Sequence, residues 1–94
     1  MFVAEIERLL ISNPEKAREK YLEIKNSLQI EERTRLKVQL LYYLDEWASA
    51  ELLAETYLNE RPNSPLNSLI FYYLNKSLLS QNKTLKQKIG RAHV

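Results

Sequence analysis

One segment, residues 40–62, limits what this chain can fold into more than any other: LLYYLDEWASAELLAETYLNERP. Its apolar residues recur at helical spacing on both sides of a short polar interruption, which is typical of two helices joined by a tight turn. The segment ends at a proline, which cannot donate the helical hydrogen bond. We therefore predict a helix hairpin with its turn at residues 45–49, where the Ser49 hydroxyl is suited to cap the second helix.

Each helix of this hairpin has an apolar stripe that predicts its buried side. Trp47 lies on the first stripe, which favours a core position near the turn over an exposed anchor. Equivalent stripes occur in three other segments. The predicted core residues, helix by helix, are Phe2, Ile6, Leu9 and Leu10; Ala17, Tyr21, Ile24 and Leu28; Leu36, Leu40, Tyr43, Leu44 and Trp47; Ala50, Leu53, Ala54, Tyr57 and Leu58; and Leu66, Ile70, Tyr73 and Leu74.

Breaks between the stripes set the number of helices. Asn13 and Pro14 mark the start of a second helix, because Asn caps helices well and Pro suits the first helical position. Ser64 and Thr84 are placed to cap a fifth helix and a truncated sixth. The predicted fold class is all-α, with antiparallel hairpins stacked as a short α-solenoid of about five helices plus the truncated sixth. The five predicted helices cover about residues 2–11, 14–28, 31–45, 48–59 and 65–80.

Composition agrees with one small helical domain. The chain has 94 residues, of which 45% are hydrophobic and 28% charged, as is usual for a folded soluble protein. One glycine and three prolines argue against an all-β fold, and the lack of cysteine excludes a disulfide framework. No apolar run is long enough to cross a membrane, and the N-terminal segment does not resemble a secretory signal. We expect a cytoplasmic protein if Met1 is the true start.

The last six residues, IGRAHV at 89–94, resemble a foreign tail. Back-translated after an AAG codon for Lys88, they resemble the start of a widely used sequencing adapter, in whose frame a stop codon follows. We therefore expect residues 1–88 to be a helical-repeat domain, a fragment of a longer chain, and residues 89–94 to be non-native. Gly90 and His93, the single glycine and histidine, would then not be native. The alternative is a genuine short basic tail.

The helix pairs resemble tetratricopeptide repeats, which are hairpins of about 34 residues. Ala17 and Tyr21 match the small residue and the later aromatic of that family, and Ala50 and Pro62 match the small and proline positions of the next unit. The resemblance covers roughly residues 1–80. It implies a non-catalytic scaffold in which the first helix of each pair lines a concave surface that binds a peptide or a partner protein.

The sequence also departs from the pattern of this family. The Trp-x2-Leu-Gly signature of the first helix is missing, Ala54 is not aromatic, and no proline follows the first unit. Internal similarity is irregular as well, because Ala17 corresponds to Ala50 at an offset of 33 residues, whereas LLYYL at 40–44 recurs as IFYYL at 70–74, an offset of 30. The pattern indicates hairpins with variable turns rather than one strict repeat.

Candidate partner-binding residues lie on the third and fifth helices. Adjacent residues are about 100° apart around a helix, so Tyr42 and Tyr72 can face outward while Tyr43 and Tyr73 face the core. Tyrosine and arginine are favoured at binding hot spots. The alternative is that the outward tyrosines pack against the neighbouring hairpin with their hydroxyls in water. The candidate site comprises Arg35, Gln39, Tyr42, Ser68, Tyr72 and Asn75.

Two other kinds of function remain open from the sequence. One is a helical bundle that associates with itself or with neighbouring repeats at the C-terminal face. The other is a DNA-binding regulatory module, because residues 1–60 have a charge balance of −4 whereas residues 61–94 have six basic and no acidic side chains. The lysines of this basic end within residues 1–88 are Lys76, Lys83, Lys86 and Lys88.

Catalysis is not expected. Residues 1–88 contain no histidine, no cysteine and no glycine-rich phosphate loop, and Asp45 is their single aspartate. The glutamate pair Glu31-Glu32 points in two directions on a helix, and no metal-ligand spacing is visible. We therefore expect no enzyme activity, no cofactor and no metal.

Overall fold

Helices account for most of the chain. The computed structural model describes residues 2–82, and that range contains helices and turns but no strand, so the all-α prediction is confirmed. A 3₁₀ turn, Lys25–Ser27, separates the second and third helices. The five α-helices within residues 2–82 are α1 (Phe2–Ser12), α2 (Pro14–Ile24), α3 (Ile30–Tyr43), α4 (Trp47–Glu60) and α5 (Asn67–Ser80).

The N-terminus of α2 is capped by Asn13, as predicted. The Asn13 side-chain oxygen accepts a hydrogen bond from the Lys16 amide (3.2 Å), and Pro14 is the first helical residue. Asn13 therefore satisfies one of the amides that a helix N-terminus leaves unpaired. The other end differs from expectation, because α2 ends at Ile24 and the 3₁₀ turn replaces its predicted last turn.

The prediction that Ser49 caps α4 was wrong. The turn is shorter than expected, so α4 begins at Trp47, and Ser49 lies exposed in its first turn. Glu46 precedes the helix without a capping hydrogen bond from its side chain.

The turn is short because α3 ends in a Schellman motif. Asp45 has φ = 62°, a left-handed conformation that glycine favours and that Asp tolerates better than most residues. Its amide donates to the Tyr42 carbonyl (3.1 Å), and the Glu46 amide donates to the Leu41 carbonyl (2.9 Å). These two bonds satisfy carbonyls at the end of α3 and reverse the chain within residues 44–46.

The connection between α4 and α5 is longer than predicted. The fifth helix begins at Asn67 instead of Pro65, after two turns at residues 62–63 and 65–66. The Ser64 side chain still stabilises the turn before α5, because its hydroxyl accepts a hydrogen bond from the Leu66 amide (3.2 Å) and lies 2.6 Å from the Tyr57 hydroxyl. A side chain of the buried face of α4 thus fixes the turn that leads into α5.

The core has two clusters, and α3 contributes to both. Leu36 and Leu40 pack with α1 and α2, whereas Val38 packs with α4 and α5. The single predicted stripe on α3 was therefore incomplete, since a helix that contacts all four others buries more than one face. The remaining buried members are Ile6, Leu10, Ala17 and Tyr21 in the first cluster, and Ala54, Tyr57, Ile70, Tyr73, Leu74 and Leu78 in the second.

Most predicted core positions outside α3 are confirmed. Ile6, Leu10, Ala17, Tyr21 and Ala50 are at most 5% exposed. The other buried predicted residues of α4 and α5 are Ala54, Tyr57, Ile70, Tyr73 and Leu74, and the half-buried ones outside α3 are Leu9, Ile24, Leu28, Leu53, Leu58 and Leu66. Tyr43 and Leu44, at the end of α3, are half-buried as well.

Trp47 differs from its predicted core position. It is half-buried at the first residue of α4 and belongs to neither core cluster. The early start of α4 removes it from the stripe of α3, because the chain reverses between Leu44 and Trp47.

The odd-numbered helices lie next to one another, since α3 contacts both α1 and α5. Sequential neighbours α1 and α2, α3 and α4, and α4 and α5 also pack together, within dimensions of 45 × 27 × 17 Å. Stacking of such hairpins into a solenoid stays a prediction.

In residues 2–82, no helix combines the length and apolar character needed to cross a membrane. The predicted cap Thr84, the lysines Lys83, Lys86 and Lys88, and the tail at 89–94 lie outside the described residues.

Candidate partner-binding surfaces

Four tyrosines form a layer between α3 and α5. The Tyr73 ring lies edge-on to those of Tyr42, Tyr43 and Tyr72, with centroid distances of 5.6, 6.1 and 5.1 Å. Tyr42 and Tyr43 are themselves 5.1 Å apart. Such edge-to-face contacts are favourable because the positive edge of one ring meets the negative face of another. We call these four residues the tyrosine layer.

The two similar motifs of the sequence meet in the tyrosine layer. LLYYL lies at the end of α3, whereas IFYYL begins at the fourth residue of α5. The two motifs are therefore at different positions along their helices, yet their tyrosines meet in space.

A polar network lies behind the tyrosine layer and connects three helices. Arg35 donates to Glu7 of α1 (2.8 Å), to Glu32 one turn away, and to the side-chain oxygen of Gln39 (3.2 Å). The Gln39 amide nitrogen in turn donates to the Tyr73 hydroxyl (3.4 Å). Because these partners are on different helices, the network fixes the position of Tyr73 relative to α1 and α3.

The hydroxyls of Tyr43 and Tyr73 lie 3.4 Å apart and form the inner end of this network. The hydrogen bond to Tyr73, together with partial burial, raises the pKa of Tyr43 to about 12. The neutral phenol is favoured because its O–H can donate to the Tyr73 oxygen, and because a phenolate at this half-buried position would be poorly solvated. Tyr43 therefore stays protonated in the folded chain at pH values where a free tyrosine ionises.

A lysine covers the outer side of the layer. The Lys76 ammonium lies 5.7 Å from the centroid of the Tyr42 ring and 5.4 Å from that of Tyr72, within the range of cation–π contacts. Interactions with Tyr42 and Tyr72 raise the pKa of Lys76. Lys76 was not among the residues predicted for the candidate site, although its position four residues after Tyr72 puts both on one helical face.

The structure divides the predicted site residues into two groups. Arg35 and Gln39 belong to the internal network, and Gln39 is only 8% exposed, so the Gln39 side chain offers little surface to a partner. Tyr42 is half-buried and Tyr72 is 56% exposed, and both contact Lys76. Ser68 and Asn75 are exposed on α5, one turn to either side of Tyr72. We call Tyr42, Ser68, Tyr72, Asn75 and Lys76 the tyrosine face.

A metal site has no candidate ligands in the described range. Between residues 2 and 82, no group of three His, Cys, Asp or Glu side chains is placed to hold a metal ion. Comparisons with protein-family models, with curated proteins and with solved structures found no match for this chain.

Proposed function

We propose that this chain is a non-catalytic helical scaffold, similar to tetratricopeptide repeats, that binds a peptide or a partner protein through the tyrosine face. The observation that carries the proposal is the pair of tyrosines from two helices, Tyr42 and Tyr72, held on either side of one lysine. Large aromatic side chains with few rotatable bonds are typical anchors of protein interfaces, because little conformational entropy is lost when they bind.

The rigid support behind the tyrosine face also favours binding. The Tyr73 ring packs edge-on against those of Tyr42 and Tyr72. Its hydroxyl accepts a hydrogen bond from Gln39, whose side chain in turn accepts one from Arg35. A surface that is already ordered before binding loses less entropy than a flexible one. Lys76 adds a positive charge at the centre of the face, so a partner segment with a carboxylate or a backbone carbonyl near an apolar side chain would be complementary.

A selection from a displayed library of random peptides tests this proposal. We expect peptides selected on the full chain to lose about tenfold or more in affinity when Tyr72 is changed to Ala, as is usual for an aromatic hot spot. Ile11, which is 76% exposed on α1, offers a matched control, and Ile11→Ala should leave affinity unchanged. If both variants bind the selected peptides like the wild type, the tyrosine face is not the binding surface.

A second candidate function, self-association, is favoured by two other residues of α5. Phe71 and Leu79 are 48% and 55% exposed, and together with Tyr72 they place large apolar side chains on the surface of one helix. We expect a double variant, Phe71→Ser with Leu79→Ser, to shift sedimentation from dimer to monomer at the same protein concentration. A wild-type chain that sediments as a monomer up to millimolar concentration would exclude this candidate.

A further inference from the structure

A second surface lies on the side of the molecule formed by α2, α3 and α4. These helices border a cleft of about 480 Å³, which no residue of the tyrosine face lines. An adjoining cleft of about 490 Å³ shares Lys37, Leu41 and Leu53 with it and extends along α4. We call the two together the basic cleft.

The rim of the basic cleft has an excess of positive charge that ion pairs within residues 2–82 do not neutralise. Arg18, Lys25, Arg33 and Lys37 line it, and Glu46 is the one acidic residue in its lining. Glu46 is already paired with Arg18 (2.8 Å), which also contacts Glu15. Among the ion pairs of residues 2–82, none involves the other three cations, so their charge remains available to a ligand.

One nitrogen of the Arg33 guanidinium makes no hydrogen bond within the described part of the chain. Its Nε atom is shielded from solvent but has no hydrogen-bond acceptor among the described residues. The positive charge of Arg33 is paired with no carboxylate among the ion pairs of residues 2–82, and a carboxylate is the strongest partner of a guanidinium group.

The floor of the basic cleft is aliphatic. Leu22 and Ile30 line it while remaining 54% and 40% exposed, and Leu52, in the adjoining part, is 67% exposed. The lining residues run from Ile30, the first residue of α3, to Leu44, which follows its last residue, and this span corresponds to about 20 Å at 1.5 Å per residue. A partner helix of about 14 residues has the same length.

We propose that the basic cleft binds an acidic amphipathic helix of a partner protein. Leucine-like side chains of that helix would cover Leu22, Ile30 and Leu52, and its carboxylates would meet Lys25, Arg33 and Lys37. Helices that lay an apolar face into a hydrophobic groove are a common mode of recognition. Nucleic acid fits less well, because single strands need exposed aromatic rings for stacking, whereas the one aromatic residue in this lining, Tyr21, is 4% exposed.

The test uses the full 94-residue chain and a fluorescent 14-residue helical peptide with leucine at positions 3, 7 and 10 and glutamate on the flanking faces. Fluorescence anisotropy should show saturable binding that weakens as salt is added, because the carboxylates contribute by charge. A peptide with glutamine in place of glutamate, and another with alanine in place of leucine, should both bind more weakly. Absence of saturable binding up to millimolar peptide would overturn the proposal.

Matched variants locate the binding surface. Lys37→Glu should weaken peptide binding about three- to tenfold, because an attractive pair becomes a repulsive one. Lys16→Glu, with the same charge change on an exposed residue of α2 outside the cleft, should have less than about a twofold effect. Equal weakening by both substitutions would show attraction by overall charge and contradict the proposal.

The aliphatic floor has its own pair of variants. Leu22→Ser should weaken binding about fivefold, since it removes an aliphatic contact, whereas Ile11→Ser on α1 should not. Both side chains are largely exposed, so both variants should keep the circular-dichroism spectrum of the wild type.

If an oligonucleotide binds more tightly than the peptide and loses that affinity in Lys37→Glu, the ligand is nucleic acid. If the wild type dimerises and Lys37→Glu does not, the ligand is a second copy. Either result would refute the acidic helix.

Discussion

Replacing Tyr43 by phenylalanine should reduce the loss of stability that this chain undergoes above pH 10. In the folded chain the pKa of Tyr43 is about 12, mainly because its hydroxyl is hydrogen-bonded to Tyr73 and secondarily because it is partly buried. In the unfolded chain it is close to 10, the value of a free tyrosine. Between these two values the folded state keeps a proton that the unfolded state has lost, so the free energy of unfolding falls as pH rises.

The size of the effect follows from the two pKa values. One unit corresponds to about 1.4 kcal/mol, so a shift from 10 to about 12 sets an upper limit of about 2.7 kcal/mol. Tyr43 is only half-buried, and screening by solvent reduces the expected contribution to about 1–2 kcal/mol. This contribution is complete below pH 10 and is lost as pH approaches 12.

Urea unfolding at pH 9 and at pH 11.5 measures the difference directly. Between these pH values, we expect the free energy of unfolding of the wild type to fall by about 1 kcal/mol or more in excess of the fall in Tyr43→Phe. The pKa of Lys20 is raised by Glu5 and that of Lys76 by Tyr42, so both lysines also contribute to the fall in the free energy of unfolding at high pH. Because both are present in the wild type and in the variant, their contributions cancel in the comparison. Equal declines in the wild type and the variant would refute the role assigned to the contact between Tyr43 and Tyr73.

Three further predictions concern the folded state and are measured by chemical denaturation at pH 7. Asn13→Ala should lower the free energy of unfolding by about 1 kcal/mol, because the Lys16 amide loses its cap; no change would mean that water replaces the cap fully. Asp45→Gly should raise it by about 0.5–1 kcal/mol, because glycine adopts φ = 62° without steric strain; a decrease would contradict the Schellman geometry. Ser77→Ala should be neutral or stabilising by up to about 1 kcal/mol, because the Ser77 hydroxyl is fully buried without a hydrogen-bond partner among the described residues; a loss above 1 kcal/mol would reveal a partner.

The helices and most of their buried sides followed from the sequence because both depend on local information. Apolar spacing identified Ala17, Tyr21, Ala54, Tyr57 and Ile70 as buried, and such spacing needs no knowledge of the partner helix. Helix ends were less predictable, since the end of α3 depends on the backbone conformation of one aspartate instead of on a glycine or proline signal.

The candidate site was predictable only in part because it depends on contacts between helices. The sequence shows that Tyr42 and Tyr72 lie next to core tyrosines, but not that they meet around Lys76. Gln39 looks like a surface residue by type, and it is buried because Arg35 and Tyr73 satisfy its amide. The basic cleft had no local signal at all, since its cations come from α2, α3 and the turn between them.

The central position of α3 determines which parts of the chain can unfold separately. Because α3 supplies Leu36 and Leu40 to one cluster and Val38 to the other, α1 and α2 can separate from the rest while the second cluster stays intact. Loss of α3 would instead remove both clusters at once. Amide protons of α3 should therefore exchange with solvent only by global unfolding, whereas those of α1 should exchange through a smaller, partial opening that leaves the tyrosine face in place.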